Sequence, residues 1–189
     1  MAPFDIAVLI GSLRRESITR RIANAFMALG PPSLSFREVD LGALAIYNAD
    51  LEADPPAPWR AFRESIALAD GLLFFTPEYN RSTPGVLKTA IDVGSRPAGK
   101  SVWNGKPAGV VSVTSGALGA FGANHHLRQS LVYVNVLTMA QPEAYIARAA
   151  SLLDADGLVI DDTTRAFFAR FMDSYAAWVA RLVPPPERP

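Results

Sequence analysis

The sequence predicts an α/β protein, a parallel sheet with helices on both faces. Three observations lead there. Residues 6–10 and 71–75 are short, continuously apolar runs and 108–113 is nearly so, the pattern of strands buried on both faces. Between them lie stretches whose apolar residues recur three and four positions apart, the spacing of one helix face. The two patterns alternate along the chain, which calls for crossover connections and parallel strands.

Each element has its own signal. The first strand, Ile6-Ala7-Val8-Leu9-Ile10, ends at Gly11. Ile18, Ile22, Phe26 and Leu29 mark a helix that Gly30-Pro31-Pro32 closes. Residues 34–41 alternate as a second strand. Pro55, Pro56 and Pro58 lead into a helix striped by Trp59, Phe62, Ile66 and Ala69. Residues 71–75 are the third strand. Thr83 is placed to cap the next helix, with Pro84 where a missing N–H costs nothing and Val86, Leu87, Ala90 and Ile91 facing the core. Residues 108–113 form the fourth strand. Leu127, Leu131 and Val134 mark a fourth helix, and residues 137–140 a short fifth strand. Phe167, Phe168, Phe171, Met172, Tyr175, Trp178, Val179 and Leu182 recur at helical spacing. A continuous one-sided stripe of this kind is core packing rather than a cofactor box. Five strands fit a flavodoxin-like three-layer sandwich, a five-stranded parallel sheet in the order 2-1-3-4-5 with helices on both faces.

Composition narrows the chemistry. A chain of 189 residues suits one domain, here residues 1–183, with 184–189 as an extended, mobile, proline-rich tail. With no cysteine, disulfides, iron–sulfur clusters, thiolate zinc sites and cysteine nucleophiles are excluded. A net charge of zero argues against a broad nucleic-acid or anionic-membrane surface. The N-terminus does not read as a signal peptide, and no apolar run is long enough to span a bilayer, so the expectation is a cytoplasmic protein.

In this architecture ligands bind beyond the carboxyl ends of the strands. The loop after strand one is Gly11-Ser12-Leu13-Arg14-Arg15-Glu16-Ser17-Ile18-Thr19. It opens a helix, whose first turn offers free N–H groups and partial positive charge to an anion. Ser12, Ser17 and Thr19 add hydroxyls, and Arg14 adds a guanidinium fork suited to phosphate. Ordinary capping by Ser17 with solvated arginines is the plainer alternative; the clustering favours phosphate. After strand three, prolines stiffen Thr76-Pro77-Glu78-Tyr79-Asn80-Arg81-Ser82-Thr83-Pro84. Such a loop presents its backbone as a fixed array along the edge of a planar heterocycle, with Tyr79 as a flat wall. Glu78 has no partner carboxylate at a useful spacing, which argues against a two-carboxylate glycosidase. After strand four, the glycines of Thr114-Ser115-Gly116-Ala117-Leu118-Gly119 allow close approach of a ligand.

Two motifs mislead. Gly94-Ser95-Arg96-Pro97-Ala98-Gly99-Lys100-Ser101 matches the P-loop pattern letter for letter. A P-loop needs a strand before it and a helix after it, and this stretch follows a helix. It reads as a connecting loop. His125 and His126 are adjacent on a helix, point in different directions, and read as surface or interface residues rather than metal ligands.

These residues resemble a known family. The first loop is similar to the Gly-Ser-Leu-Arg-x-x-Ser-x-Asn signature of the NADPH-dependent FMN reductases, which include bacterial chromate and quinone reductases. Pro77-Glu78-Tyr79-Asn80, with Ser82, Pro84-Gly85-Val86-Leu87-Lys88 and Ala90-Ile91-Asp92, resembles its second signature. Gly105-Lys106-Pro107 and Leu127-Arg128-Gln129 resemble two more. The resemblance implies bound FMN, with NADPH or NADH as donor and quinones, free flavin, chromate or similar acceptors. It implies that Ser12, Arg14, Ser17, Ile18 and Thr19 hold the FMN phosphate, and that Pro77, Glu78, Tyr79, Asn80, Ser115 and Gly116 border the isoalloxazine. It makes Arg96, in a shared Ser-Arg-Pro, a candidate contact for nicotinamide or acceptor. No side chain is nominated as a catalytic acid or base, and no metal is expected.

Two departures stand out. Thr19 replaces the usual asparagine, exchanging an amide for a hydroxyl. Gly119-Ala120-Phe121-Gly122 and His125 replace the arginine and aromatic that form subunit contacts in some relatives; of that network only Glu143 remains. A homodimer is expected and a homotetramer of that type is disfavoured. A flavodoxin-type electron carrier without enzymatic activity is the alternative reading. Flavodoxins are usually strongly acidic, and this chain is neutral.

Overall fold

The computed structural model describes residues 2–184. The strands are β1 (Phe4–Ile10), β2 (Leu34–Glu38), β3 (Gly71–Thr76), β4 (Pro107–Val113), β5 (Leu137–Thr138) and β6 (Ala144–Ile146). The helices are α1 (Ile18–Ala28), α2 (Ala57–Leu68), α3 (Gly85–Gly94), α4 (Phe121–Tyr133) and α5 (Asp162–Leu182). All pairings are parallel, in the order β2-β1-β3-β4-β5, with β6 also on β4. The order agrees with the expectation. The fifth position is split: β5 pairs with the start of β4 at Pro107 and Ala108, and β6 with its end at Val111–Val113. The segment between them carries the cis Gln141–Pro142 peptide, and Pro142 has no N–H to give a ladder.

The buried strands alternate their side chains between two cores. Ile6, Val8, Ile10, Leu73, Phe75, Val111 and Val113 meet α1 and α5 on one face. Ala7, Leu9, Leu72, Phe74, Ala108 and Val110 meet α2, α3 and α4 on the other. In the α5 stripe, Phe168, Phe171, Met172, Tyr175 and Val179 are buried, whereas Leu182 is exposed. Tyr175 lies flat on the α5 face of the sheet, where two glycines make room. A Cβ at Gly71 would stand 2.8 Å from its hydroxyl, and one at Gly109 3.1 Å from its ring. That hydroxyl donates to the Leu72 carbonyl at 2.8 Å, and full burial holds its pKa well above 10.0.

The end of β2 and the start of α3 differ from expectation. β2 ends at Glu38, not 41, because its register on β1, its one partner strand, stops at the Val8–Glu38 pair. Thr83 does not cap α3. Pro84 is the N-cap, and the Thr83 hydroxyl donates instead to the Ala123 carbonyl at 3.4 Å. The proline-rich tail, Pro184 apart, lies outside the described residues. No helix among the described residues is long and apolar enough to cross a membrane.

Candidate cofactor site

Because the strands are parallel, the loops after β1, β3 and β4 leave one edge of the sheet side by side. The first two touch: a Cβ on Gly11 would lie 2.7 Å from Leu87 Cδ1 and 3.0 Å from Pro77 Cδ. The Gly11 N–H donates to the Phe75 carbonyl at 2.8 Å, extending the sheet into the loop.

The β1–α1 loop is rich in unspent donors. Ser17 caps α1, its hydroxyl accepting from the Arg20 N–H at 3.2 Å. The amides of Ser12, Leu13, Arg14, Ile18 and Thr19 find no acceptor among the described residues. Ser12, Ser17 and Thr19 are 4%, 2% and 1% exposed. The Ser12 and Thr19 hydroxyls make no bond to a described side chain or backbone group. Each hydroxyl oxygen, on a residue otherwise buried, still reaches solvent and so stands free to meet a ligand. Ile18 packs its side chain against the α1–α5 core and offers only its N–H. Of the nearby arginines, Arg20 pairs with Glu38 and Arg21 donates to the Asp154 carbonyl. Arg14 and Arg15 are exposed and unpaired among the described residues. The free amides, the helix N-terminus and Arg14 together fit a phosphate monoester, so the residues present suit the phosphate end of FMN.

The β3–α3 loop is built in the opposite way. Residues 79–82 form a two-residue hairpin, with Tyr79 and Ser82 exchanging both backbone bonds at 3.0 Å. Asn80 and Arg81 have φ of 52° and 66°, the paired left-handed geometry of a type I′ turn. Tyr79 is 47% exposed, a flat wall at the mouth. The side chains behind it are engaged. Glu78 Oε2 accepts the Ala123 N–H at 3.1 Å, and Glu78 Oε1 meets Arg81 Nη1 at 3.3 Å. Ser82 Oγ and His126 Nδ1 are 2.8 Å apart. Glu78 therefore has no carboxylate free to face a ligand, and its share in the site comes from its backbone.

In the β4–α4 loop Ser115 and Gly116 are exposed. The Gly116 carbonyl accepts from Arg148 N–H at 2.8 Å, and the Gly116 N–H donates to Thr114 Oγ1 at 3.1 Å. Gly119 lies against the Tyr145 backbone, where a Cβ would come within 2.7–2.9 Å. Sequence reading missed a buried polar chain beneath this loop. Ser112 Oγ donates to the Gly119 carbonyl at 2.7 Å and accepts from Asn124 Nδ2 at 3.1 Å. Arg128 Nε donates to Asn124 Oδ1 at 2.9 Å, and Arg128 Nη1 to the Met139 carbonyl at 3.0 Å. Burial lowers the pKa of Arg128. The signal was there in Ser112, the one hydroxyl in the strand PAGVVSV.

Arg96 is not brought to these loops. It lies past the far end of α3, a helix of 10 residues and so about 15 Å long. Its guanidinium stands 3.7 Å from Glu52 and over the Tyr47 ring. The P-loop look-alike around it is a connection between α3 and β4, as expected. His125 Nε2 and the Tyr145 hydroxyl are 3.0 Å apart. Burial first, then a hydrogen bond to Glu143, pushes Tyr145 up to about 12. No group of three or more metal-ligating side chains exists among the described residues.

Comparison with known proteins agrees with this geometry. The family model for NADPH-dependent FMN reductase matches residues 4–151. A quinone reductase of Pseudomonas putida is 54% identical over 177 residues, 93% of this chain and 95% of that protein. A 2-hydroxy-1,4-benzoquinone reductase of a Burkholderia species is 49% identical over 174 residues, 92% of this chain and 95% of the relative. Among solved structures, the flavoenzyme NAD(P)H:(acceptor) oxidoreductase FerB of Paracoccus denitrificans superposes with a TM-score of 0.91 at 38% identity, covering 95% of this chain and 99% of that one. With its loops, sheet order and sequence in agreement, the chain belongs to the family of NADPH-dependent FMN reductases.

Proposed function

We propose that this protein holds FMN across the three loops and passes electrons from NADPH or NADH to a quinone. The observation that carries the reading is the β1–α1 loop, with its unspent amides, its unpartnered Ser12 and Thr19 hydroxyls and an unpaired Arg14 at a helix N-terminus. Ser12, Arg14, Ser17, Ile18 and Thr19 hold the phosphate. The backbone of Pro77, Glu78, Tyr79 and Asn80 borders the isoalloxazine on one side, and Ser115 and Gly116 on the other. Bound FMN supplies hydride acceptance and electron release; the chain supplies position and electrostatics. None of its histidines, carboxylates or hydroxyls is needed as an acid or base.

The relatives named for quinones and a hydroxybenzoquinone support a quinone acceptor. Free flavin and chromate are weaker candidates, which belong in the same assay panel. We place the protein in the cytoplasm as a homodimer. Arg96, which makes no bond to these three loops in its own chain, stays a candidate contact for nicotinamide or acceptor. FMN-loaded protein should consume NADPH or NADH with 1,4-benzoquinone, giving parallel initial-rate lines. Converging lines would exclude donor and acceptor taking turns at one flavin face. A protein that binds FMN yet stays inert with both donors would instead be a flavodoxin-type carrier.

A further inference from the structure

The first turn of α4 is held by residues that lie outside α4. Its N-cap is Ala120, in the left-handed region at φ 56°, and it has no side-chain cap. An uncapped helix start leaves amides without acceptors. The missing acceptor comes from 45 residues away, as Glu78 Oε2 takes the Ala123 N–H at 3.1 Å. The approach is tight at Gly122. A Cβ there would stand 3.0 Å from both Glu78 Oε2 and the Arg81 carbonyl. Thr83 and Ser82 add bonds to the Ala123 carbonyl and to His126. The next residue faces the other loop: Asn124 holds Ser112, and Ser112 holds the Gly119 carbonyl. Ala123 and Asn124 thus anchor the β3–α3 hairpin and the glycine-rich β4–α4 loop to one rigid turn.

We propose that this turn is a clamp that sets the spacing between the two loops bordering the flavin, with Glu78 as its positioning residue, acting through the Ala123 amide rather than on the flavin. The proposal rests on the FMN reading above. A clamp of this kind acts on the ring end of the ligand and leaves the phosphate end alone. Its loss therefore costs FMN and riboflavin alike. Glutamine keeps an acceptor oxygen at the same reach, so Glu78→Gln preserves the clamp where Glu78→Ala breaks it.

The test uses full-length wild type, Glu78→Ala and Glu78→Gln. Flavin fluorescence gives FMN and riboflavin Kd values, and hydrogen exchange follows the Ala123 amide. Removing a helix cap is expected to weaken both flavins about tenfold in Glu78→Ala. The Ala123 amide should exchange at least about tenfold faster. Glu78→Gln should stay within about threefold of wild type in each measurement. Wild-type affinity for both flavins in a folded Glu78→Ala would overturn the proposal, as would a Glu78→Gln that loses as much as alanine. If Glu78→Ala does not fold, an unchanged Ala123 amide with wild-type flavin affinity in Glu78→Gln supports the clamp, and a fast amide there contradicts it. A wild type that binds neither flavin would overturn the FMN reading, while the Ala123 amide would still report on the clamp.

Discussion

The loops after β1 and β3 sit side by side on one sheet edge and manage their polar groups in opposite ways. The first leaves amides, the hydroxyls of Ser12 and Thr19, and Arg14 without protein partners. The second commits most of its polar side chains to the protein, with Glu78 on Ala123, Ser82 on His126 and Thr83 on the Ala123 carbonyl. Free donors recognise a charged group directly. A stiff loop whose side chains are already satisfied recognises shape, through its backbone and the exposed face of Tyr79. One edge thus suits the proposed ligand, ionic at one end and flat at the other.

The contrast can be broken at either loop. Charge-assisted bonds are worth about 1.5–3 kcal/mol. Arg14→Ala should therefore weaken FMN about ten- to a hundredfold and riboflavin little, as read by fluorescence titration. Equal losses would show that Arg14 does not meet the phosphate. Gly11→Ala strikes the joint between the loops, because its Cβ would overlap Leu87 Cδ1 at 2.7 Å and Pro77 Cδ at 3.0 Å. Overpacking of this kind costs about 1–3 kcal/mol. Both flavins should weaken together and the Tm should fall; an unchanged Tm would mean that the joint yields freely. Thr19→Asn sharpens the contrast from the other side. Adding an amide donor near the phosphate should tighten FMN about two- to tenfold and leave riboflavin unchanged.

The smallest expected effect lies outside both loops. Tyr145 ionises near 10.0 when unfolded and near about 12 when folded, so its contribution is present below pH 10 and lost between pH 10 and about 12. Tyr145→Phe should flatten that part of the alkaline decline in the urea midpoint. An identical decline in the variant would place its origin elsewhere.

The sequence made some of this legible and hid the rest for a physical reason. β1, β3 and β4 are buried on both faces, so each is a continuous or nearly continuous apolar run that stands out alone. The β1–α1 loop stood out as a candidate anion site because its donors are neighbours in sequence, from Ser12 to Thr19. β6 was not, because three residues, Ala144–Ile146, carry too little pattern. The clamp was hidden because its parts are distant: Glu78 and Ala123 stand 45 residues apart, and neither residue type announces the bond. Thr83 shows the same limit. Local spacing made it a helix cap, and the neighbouring α4 claimed its hydroxyl instead.

The most direct test of the central claim is an equilibrium titration of the flavin-free wild-type protein with FMN and with riboflavin. The free donors of the β1–α1 loop predict that FMN binds at least about tenfold more tightly, with charge-assisted phosphate bonds supplying the difference. Equal affinity for the two flavins would contradict the account, because the loop would then hold no phosphate.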